Sequence, residues 1–141
     1  MPLIEADPTV QIAANKSADL TAKKAGDLAL ATVHLYTNNH TPVPGDVVAN
    51  FTEAAFTGYA AKAIPGWTAN DVDVDGSVSS TGTTVLTWTG PADASGQTVY
   101  GYYILSVGGG TPIIAAALFT APVGMNGVGD ILDMVPTFRL P

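Results

Sequence analysis

Val33-His34-Leu35-Tyr36-Thr37-Asn38-Asn39-His40-Thr41-Pro42 reads as a strand that runs into an Asn-rich turn and then a proline-containing crossing. Phe51-Thr52-Glu53-Ala54-Ala55-Phe56-Thr57-Gly58-Tyr59 follows as the approach to a second aromatic strand, entered through a glycine. Outward from this pair the same grammar continues. Residues 28–36 are apolar-rich, and Asp46 is placed to cap a short helix with Val47, Val48 and Phe51 on one side. Residues 56–62 read as a strand closed by Pro65-Gly66. Asp71-Val72-Asp73-Val74-Asp75 alternates strictly, with the two valines expected inward. Residues 83–89 place Leu86 and Trp88 on one face. Residues 98–107 form the most aromatic strand, with Tyr100 and Tyr102 expected opposite Tyr103. Gly108-Gly109-Gly110 reads as a hairpin turn into residues 111–119, and the glycine-rich loop 124–129 precedes a last strand near 131–135. The expectation is an all-β chain, a jelly-roll-like β-sandwich of about seven or eight strands with one short helix.

The first 26 residues differ. They contain no aromatic side chain and alternate poorly. Residues 17–25 have the composition of a short helix with Ser17 as its cap, and an extended arm fits the segment equally well. The expected organisation is an N-terminal arm over residues 1–26 and a β-sandwich domain over 27–141. With 141 residues the chain is long enough for one proper core. Charged residues are 12% and hydrophobic ones 47% of the chain, about half the usual charged share. A surface so poor in charge favours a protein partly covered by neighbours.

Five Lys and Arg against twelve Asp and Glu give a formal charge of -7. That field repels phosphate, and the cluster Lys16, Lys23 and Lys24 is too small to reverse it, so no nucleic-acid partner is expected. No cysteine is present, which removes disulfides and thiolate chemistry. The start of the sequence is acidic and lacks a leader pattern, and its longest apolar run, residues 112–119, is too short for a membrane span. Folding in the cytoplasm and no membrane partner are the expectations.

Asp71-x-Asp73-x-Asp75-Gly76 presents hard oxygen ligands as calcium loops do, but Gly82 stands where an EF-hand needs its bidentate carboxylate. A solvated strand face is the expected reading, and no metal or other cofactor is expected. His34 and His40 are the only histidines and can approach one surface, yet no motif supplies a third ligand or a nucleophile. Glu53 could face an aspartate across a sugar cleft, but no motif positions such a pair. No enzyme is expected, and no catalytic residue is assigned. The tyrosine strand cannot send all of Tyr100, Tyr102 and Tyr103 into one core, and a tyrosine on the far face suits an interface. Candidate interface residues are therefore Leu3, Ile4, Val10 and Ile12 on the arm, with Tyr100, Tyr102 and Tyr103.

The runs Leu35-Tyr36-Thr37-Asn38-Asn39-His40-Thr41-Pro42 and Phe51-Thr52-Glu53-Ala54-Ala55-Phe56-Thr57-Gly58-Tyr59 resemble a pattern in small virion structural proteins of tailed bacteriophages. Val99-Tyr100-Gly101-Tyr102-Tyr103 and Val135-Pro136-Thr137-Phe138 extend the resemblance over most of the chain. It implies a non-enzymatic virion component: a head decoration or cement protein bound to the major capsid protein or other virion proteins, made in the host cytoplasm. A homo-oligomer, with a trimer favoured, would follow from clustering at a local three-fold. Two other roles are weighed. One is a minor tail or fibre-associated protein meeting the host surface through residues 37–46 and 122–129. The other is a carbohydrate-binding β-sandwich using Trp67, Trp88 or a tyrosine as a stacking platform, with the aspartates holding calcium.

Overall fold

In β1 (Thr32–Tyr36), Val33 and Leu35 face one way while His34 and Tyr36 face the other. Both faces of this strand are covered, by two different kinds of structure. The computed structural model describes residues 8–26, 28–29, 31–106 and 113–140. Among them the remaining elements are α1 (Pro8–Ala25), a 3-10 turn (Val48–Asn50), β2 (Lys62–Ala63), β3 (Asp71–Val72), β4 (Val78–Thr81), β5 (Leu86–Thr89), β6 (Gln97–Leu105), β7 (Ala115–Met125), β8 (Ile131–Met134) and β9 (Thr137–Leu140). The fold is all-β with one helix among the described residues, and every strand pair among them is antiparallel.

The strands form a four-stranded sheet in the order β2-β1-β6-β7, a three-stranded sheet β3-β4-β9, and the ribbon β5-β8. The ribbon supplies the sandwich's second layer. Its inward Leu86, Trp88 and Leu132 join Val33, Leu35, Val99, Ile104 and Met125 of the large sheet in the main core. Burying side chains of this size stabilises by about 1.5–3 kcal/mol each. The other face of the large sheet is closed by a loop, residues 37–54, whose Phe51 packs on Tyr36 and Tyr103.

An irregularity in β6 decides where the tyrosines go. The register against β7 shifts between Val99 and Gly101, and the alternation of faces inverts there. Val99, Tyr102 and Ile104 face the ribbon, whereas Tyr100 and Tyr103 lie with Phe51 beneath the loop. This corrects the expected grouping of Tyr100 with Tyr102. Period-2 reasoning cannot see a bulge, because the bulge depends on the partner strand.

Residues 56–62 are not the strand expected from the sequence. The Tyr59 N–H closes a turn on the Phe56 carbonyl at 2.9 Å, and Gly58 sits in that turn at φ 88°, a conformation costly for other residues. The valines of Asp71–Asp75 are not inward either: Val72 is half exposed and Val74 fully exposed. Only Asp71 and Val72 are in a strand, and the rest forms the β3–β4 turn.

The N-terminal segment departs furthest from expectation. It is helical from Pro8, whose missing N–H costs nothing in a first turn. Ser17 therefore lies mid-helix and is not a cap. The Gly26 N–H returns to the Ala22 and Lys23 carbonyls, and the Leu28 N–H to Lys23 at 2.8 Å, which closes the helix end. Ser17, Leu20, Thr21 and Lys24 share one face at i, i+3, i+4 and i+7. That face is held by the chain's own β domain. Leu20 is 0% exposed and packs with Leu28, Val78 and Phe138. The Asn70 amide donates to the Ser17 carbonyl and hydroxyl and to the Thr21 hydroxyl, and the Lys24 ammonium donates to the Thr68 carbonyl. A docking face with one apolar residue gives no amphipathic signal, so an extended arm fitted the sequence as well. Of the arm's candidate contacts, Leu3 and Ile4 lie outside the described residues. Val10 and Ile12 belong to α1, with side chains outside the described ones.

Leu20→Ala should cost about 2–4 kcal/mol of stability in urea unfolding, the range for a truncated core leucine. A cost below about 0.5 kcal/mol would show that the helix is not part of the domain's packing.

Candidate functional site

The loop that covers the large sheet is the most elaborately bonded part of the molecule. It is anchored at the end of β1, where the Thr37 N–H donates to the Thr52 carbonyl and the Ala54 N–H to Leu35. Asn38 then acts as a surrogate peptide group. Its amide nitrogen donates to the Asn50 carbonyl at 3.0 Å, and its amide oxygen accepts the Thr52 N–H at 2.8 Å. The Asn50 amide oxygen accepts the Val47 N–H. Asp46 does not cap a helix as expected. Its carboxylate turns back to accept the Val43 N–H at 2.8 Å and pairs with His40 Nε2 at 2.7 Å. Those bonds hold the Asp46 carboxyl below the usual carboxylate range, the backbone bond first and His40 second.

Beneath the loop, Tyr36 lies over Gly101, its pairing partner on β6. A Cβ at Gly101 would stand 2.5 Å from the Tyr36 hydroxyl and 2.2 Å from the Ala117 carbonyl oxygen, so no larger residue fits. The Tyr36 hydroxyl donates to the His40 carbonyl at 2.9 Å. Sequence reasoning allowed the two histidines to approach one surface, and they flank one aromatic cluster. His34 stacks on Tyr103 with centroids 5.0 Å apart, Tyr103 meets Phe51, and Phe51 meets the edge of His40.

His34 also stands in a chain of polar contacts. Its Nε2 is 2.8 Å from the Thr32 hydroxyl and its Nδ1 2.5 Å from Glu53 Oε2, which also accepts the Tyr59 hydroxyl at 2.8 Å. Hydroxyl, imidazole and carboxylate in that order are the parts of a nucleophilic triad. A triad also needs a substrate cleft and oxyanion donors beside the hydroxyl. Two cavities among the described residues are lined by other side chains than these. One is lined by residues 42–46 and 113–116; the other lies between the Asn-rich turn and β7. The Thr32–His34–Glu53–Tyr59 chain fastens the loop's far end to β1. Burial, and then the Glu53 charge, push the Tyr103 phenol up to about 12, and burial raises Tyr59 as well.

The acidic motif is drawn together by a cation of the chain's own. Arg139 on β9 reaches Asp75 at 3.0 Å and Asp73 at 3.6 Å and donates to the Ser77 hydroxyl. Among the described residues no group of three or more His, Asp or Glu gathers as a metal site. The Asp75 carboxyl is lowered chiefly by the Ser77 hydroxyl and N–H. Arg139 lies far along the sequence from Asp71–Asp75, and only the β4–β9 pairing brings it near.

The aromatic candidates separate cleanly. Tyr103 is 1% exposed and Trp88 2%, so Tyr103 is a core residue and not an interface one, and Trp88 offers no stacking platform. Trp67 donates its indole N–H to the Leu28 carbonyl. Tyr100 and Tyr102 are partly exposed. Among the described residues no helix is long and apolar enough to cross a membrane. No protein-family model, curated protein or solved structure matches the chain.

Two outcomes follow for solution work. Asp46, Asp75 and Asp93 all have lowered carboxyl pKa values, the last mainly through Ser95 and Thr57. Their contribution is complete above the unfolded carboxylate value of about 3.9 and is lost as pH falls through the lower folded values. Tyr103, raised to about 12, stabilises below about pH 10 and ceases to do so as pH climbs through its folded value. Urea midpoints should therefore fall at both extremes, and Asp46→Asn should flatten the acid limb. Calcium at about 1 mM should leave the thermal midpoint unchanged because Arg139 already faces the aspartates. A rise of several degrees would contradict this, since a ligand at 100 times its Kd adds about 2.7 kcal/mol.

Proposed function

We propose that the chain is a non-enzymatic structural protein of a tailed-bacteriophage virion, a head decoration or cement protein. One observation carries the reading. The residues of the phage-like pattern, Tyr36, Thr37, Asn38, Phe51, Thr52, Glu53 and Tyr59, are engaged in building the loop that closes the sheet. A shared pattern of this kind belongs to a family defined by a scaffold, as structural proteins are. The pattern's final Phe-x-Gly-Tyr is a turn whose tyrosine hydroxyl returns to Glu53 and accepts the Leu35 N–H.

The surface supports partners as well. Val85, Ile131 and Val135 are exposed together with Thr87 and Thr89 on the outward face of the β5–β8 ribbon. Its one charge, Asp133, accepts the Thr87 hydroxyl at 2.5 Å. An apolar and threonine face of this kind suits contact with a major capsid protein or another virion protein. The mechanism would be mechanical: copies clustered over capsid joints add buried area to each. Weak contacts from one trimer act together through effective concentration.

Purified protein added to shells lacking it, imaged by cryo-electron microscopy, should occupy repeated positions over the head lattice. A few copies at the tail would point to the tail role, and no particle density at all would end the virion reading.

A further inference from the structure

The large sheet ends at β7, and β7 is not a regular strand. Its register against β6 steps from Val99↔Val123 to Gly101↔Leu118. Phe119, Thr120, Ala121 and Pro122 therefore stand opposite Tyr100 alone. A bulge of this size bends the strand away from its neighbour, and Pro122 has no N–H to offer. An open cleft of about 230 Å³ results between the bulge and the Asn-rich turn, lined by Asn39, Tyr100, Leu118, Phe119, Thr120 and Pro122.

The polar groups around it are uncommitted. Asn38 uses both ends of its amide within the loop. Its neighbour Asn39 has no side-chain hydrogen bond among the described residues, and neither have the Tyr100 and Thr120 hydroxyls. Among the described residues no charged one lines the cleft, which disfavours phosphate, sulfate or carboxylate ligands. A peptide joining as an added strand needs a regular row of N–H and C=O groups. The bulge and Pro122 interrupt that row.

The remaining chemistry is the Tyr100 ring, an amide offering a donor and an acceptor, and two hydroxyls, with Phe119 in the wall and its ring packed on Tyr102 at 6.1 Å between centroids. We propose that the cleft is a subsite for one ring of a neutral saccharide. The apolar face of the sugar lies on Tyr100, and its hydroxyls pair with Asn39 and Thr120. The cleft is smaller than the roughly 300–1,000 Å³ of drug-sized sites, so it holds a single ring and the glycan continues out through the open side. The site stands apart from the virion reading, because it is defined by this chain alone.

The test is a nuclear magnetic resonance titration of the isotope-labelled full chain with maltotetraose and chitotetraose to about 10 mM. A sialylated lactose and a proline-rich peptide serve as contrasts. Amide shifts confined to Asn39, Tyr100 and residues 118–122, with a Kd near about 1 mM for one of the neutral glycans, are the expected result. Asn39→Ala and Thr120→Val should each weaken it about tenfold while leaving the urea midpoint in place, and Tyr100→Phe should retain binding. The proposal fails if neither neutral glycan shifts these amides, if shifts map elsewhere, or if Asn39→Ala binds normally. It also fails if the peptide or the sialylated sugar binds better at this cleft.

Discussion

A strand buried on both faces needs two covers, and in this protein one cover is irregular. The β5–β8 ribbon satisfies its own backbone by pairing. Residues 37–54 have little such help, and a covering loop must find partners for its N–H and C=O groups or leave them costly and unpaired. Side chains do that work here. Asn38 replaces a missing peptide group, Asp46 and Asn50 close local turns, and Tyr36 ties the His40 carbonyl down. The sheet can be reached this closely only because Gly101 carries no side chain under the Tyr36 ring. The histidines, the aromatic cluster and the placement of the tyrosine strand all depend on that arrangement.

What could be read in the sequence was what is local. Leu86 and Trp88 alternate with threonines and do point inward, because two residues of period settle the faces of a short strand. The Asn38-Asn39 turn carries its own chemistry in the residue type. Long-range partners stayed hidden. The alternating aspartates have strand-like spacing, yet Arg139 and Ser77 bend them into a turn. Pro122 and Gly124 look like strand breakers, and β7 runs through both to Met125 because a bulged edge strand tolerates them. The helix hid its docking face by using Asn70 and Thr68 as partners for polar side chains.

The same division holds for the surface. The charge-poor composition foretold exposed apolar area, and the valines and Ile131 on the ribbon's outer face are part of it. The cleft beside Tyr100 had no sequence signal of its own, since it arises from a mismatch in length between two paired strands. Scaffold and surface are thus carried by different residues in adjacent positions. Asn38 is bound into the fold, while the side chain of Asn39 is free of hydrogen bonds among the described residues.

Paired urea unfolding of Asn38→Ala and Asn39→Ala tests this account most directly. Asn38→Ala orphans the Thr52 N–H and the Asn50 carbonyl and should lose about 2–3 kcal/mol. Asn39→Ala should stay within about 0.5 kcal/mol of the parent. Equal losses at the two positions, or a larger one at Asn39, would contradict the claim that the Asn38 amide holds the cover of the sheet in place.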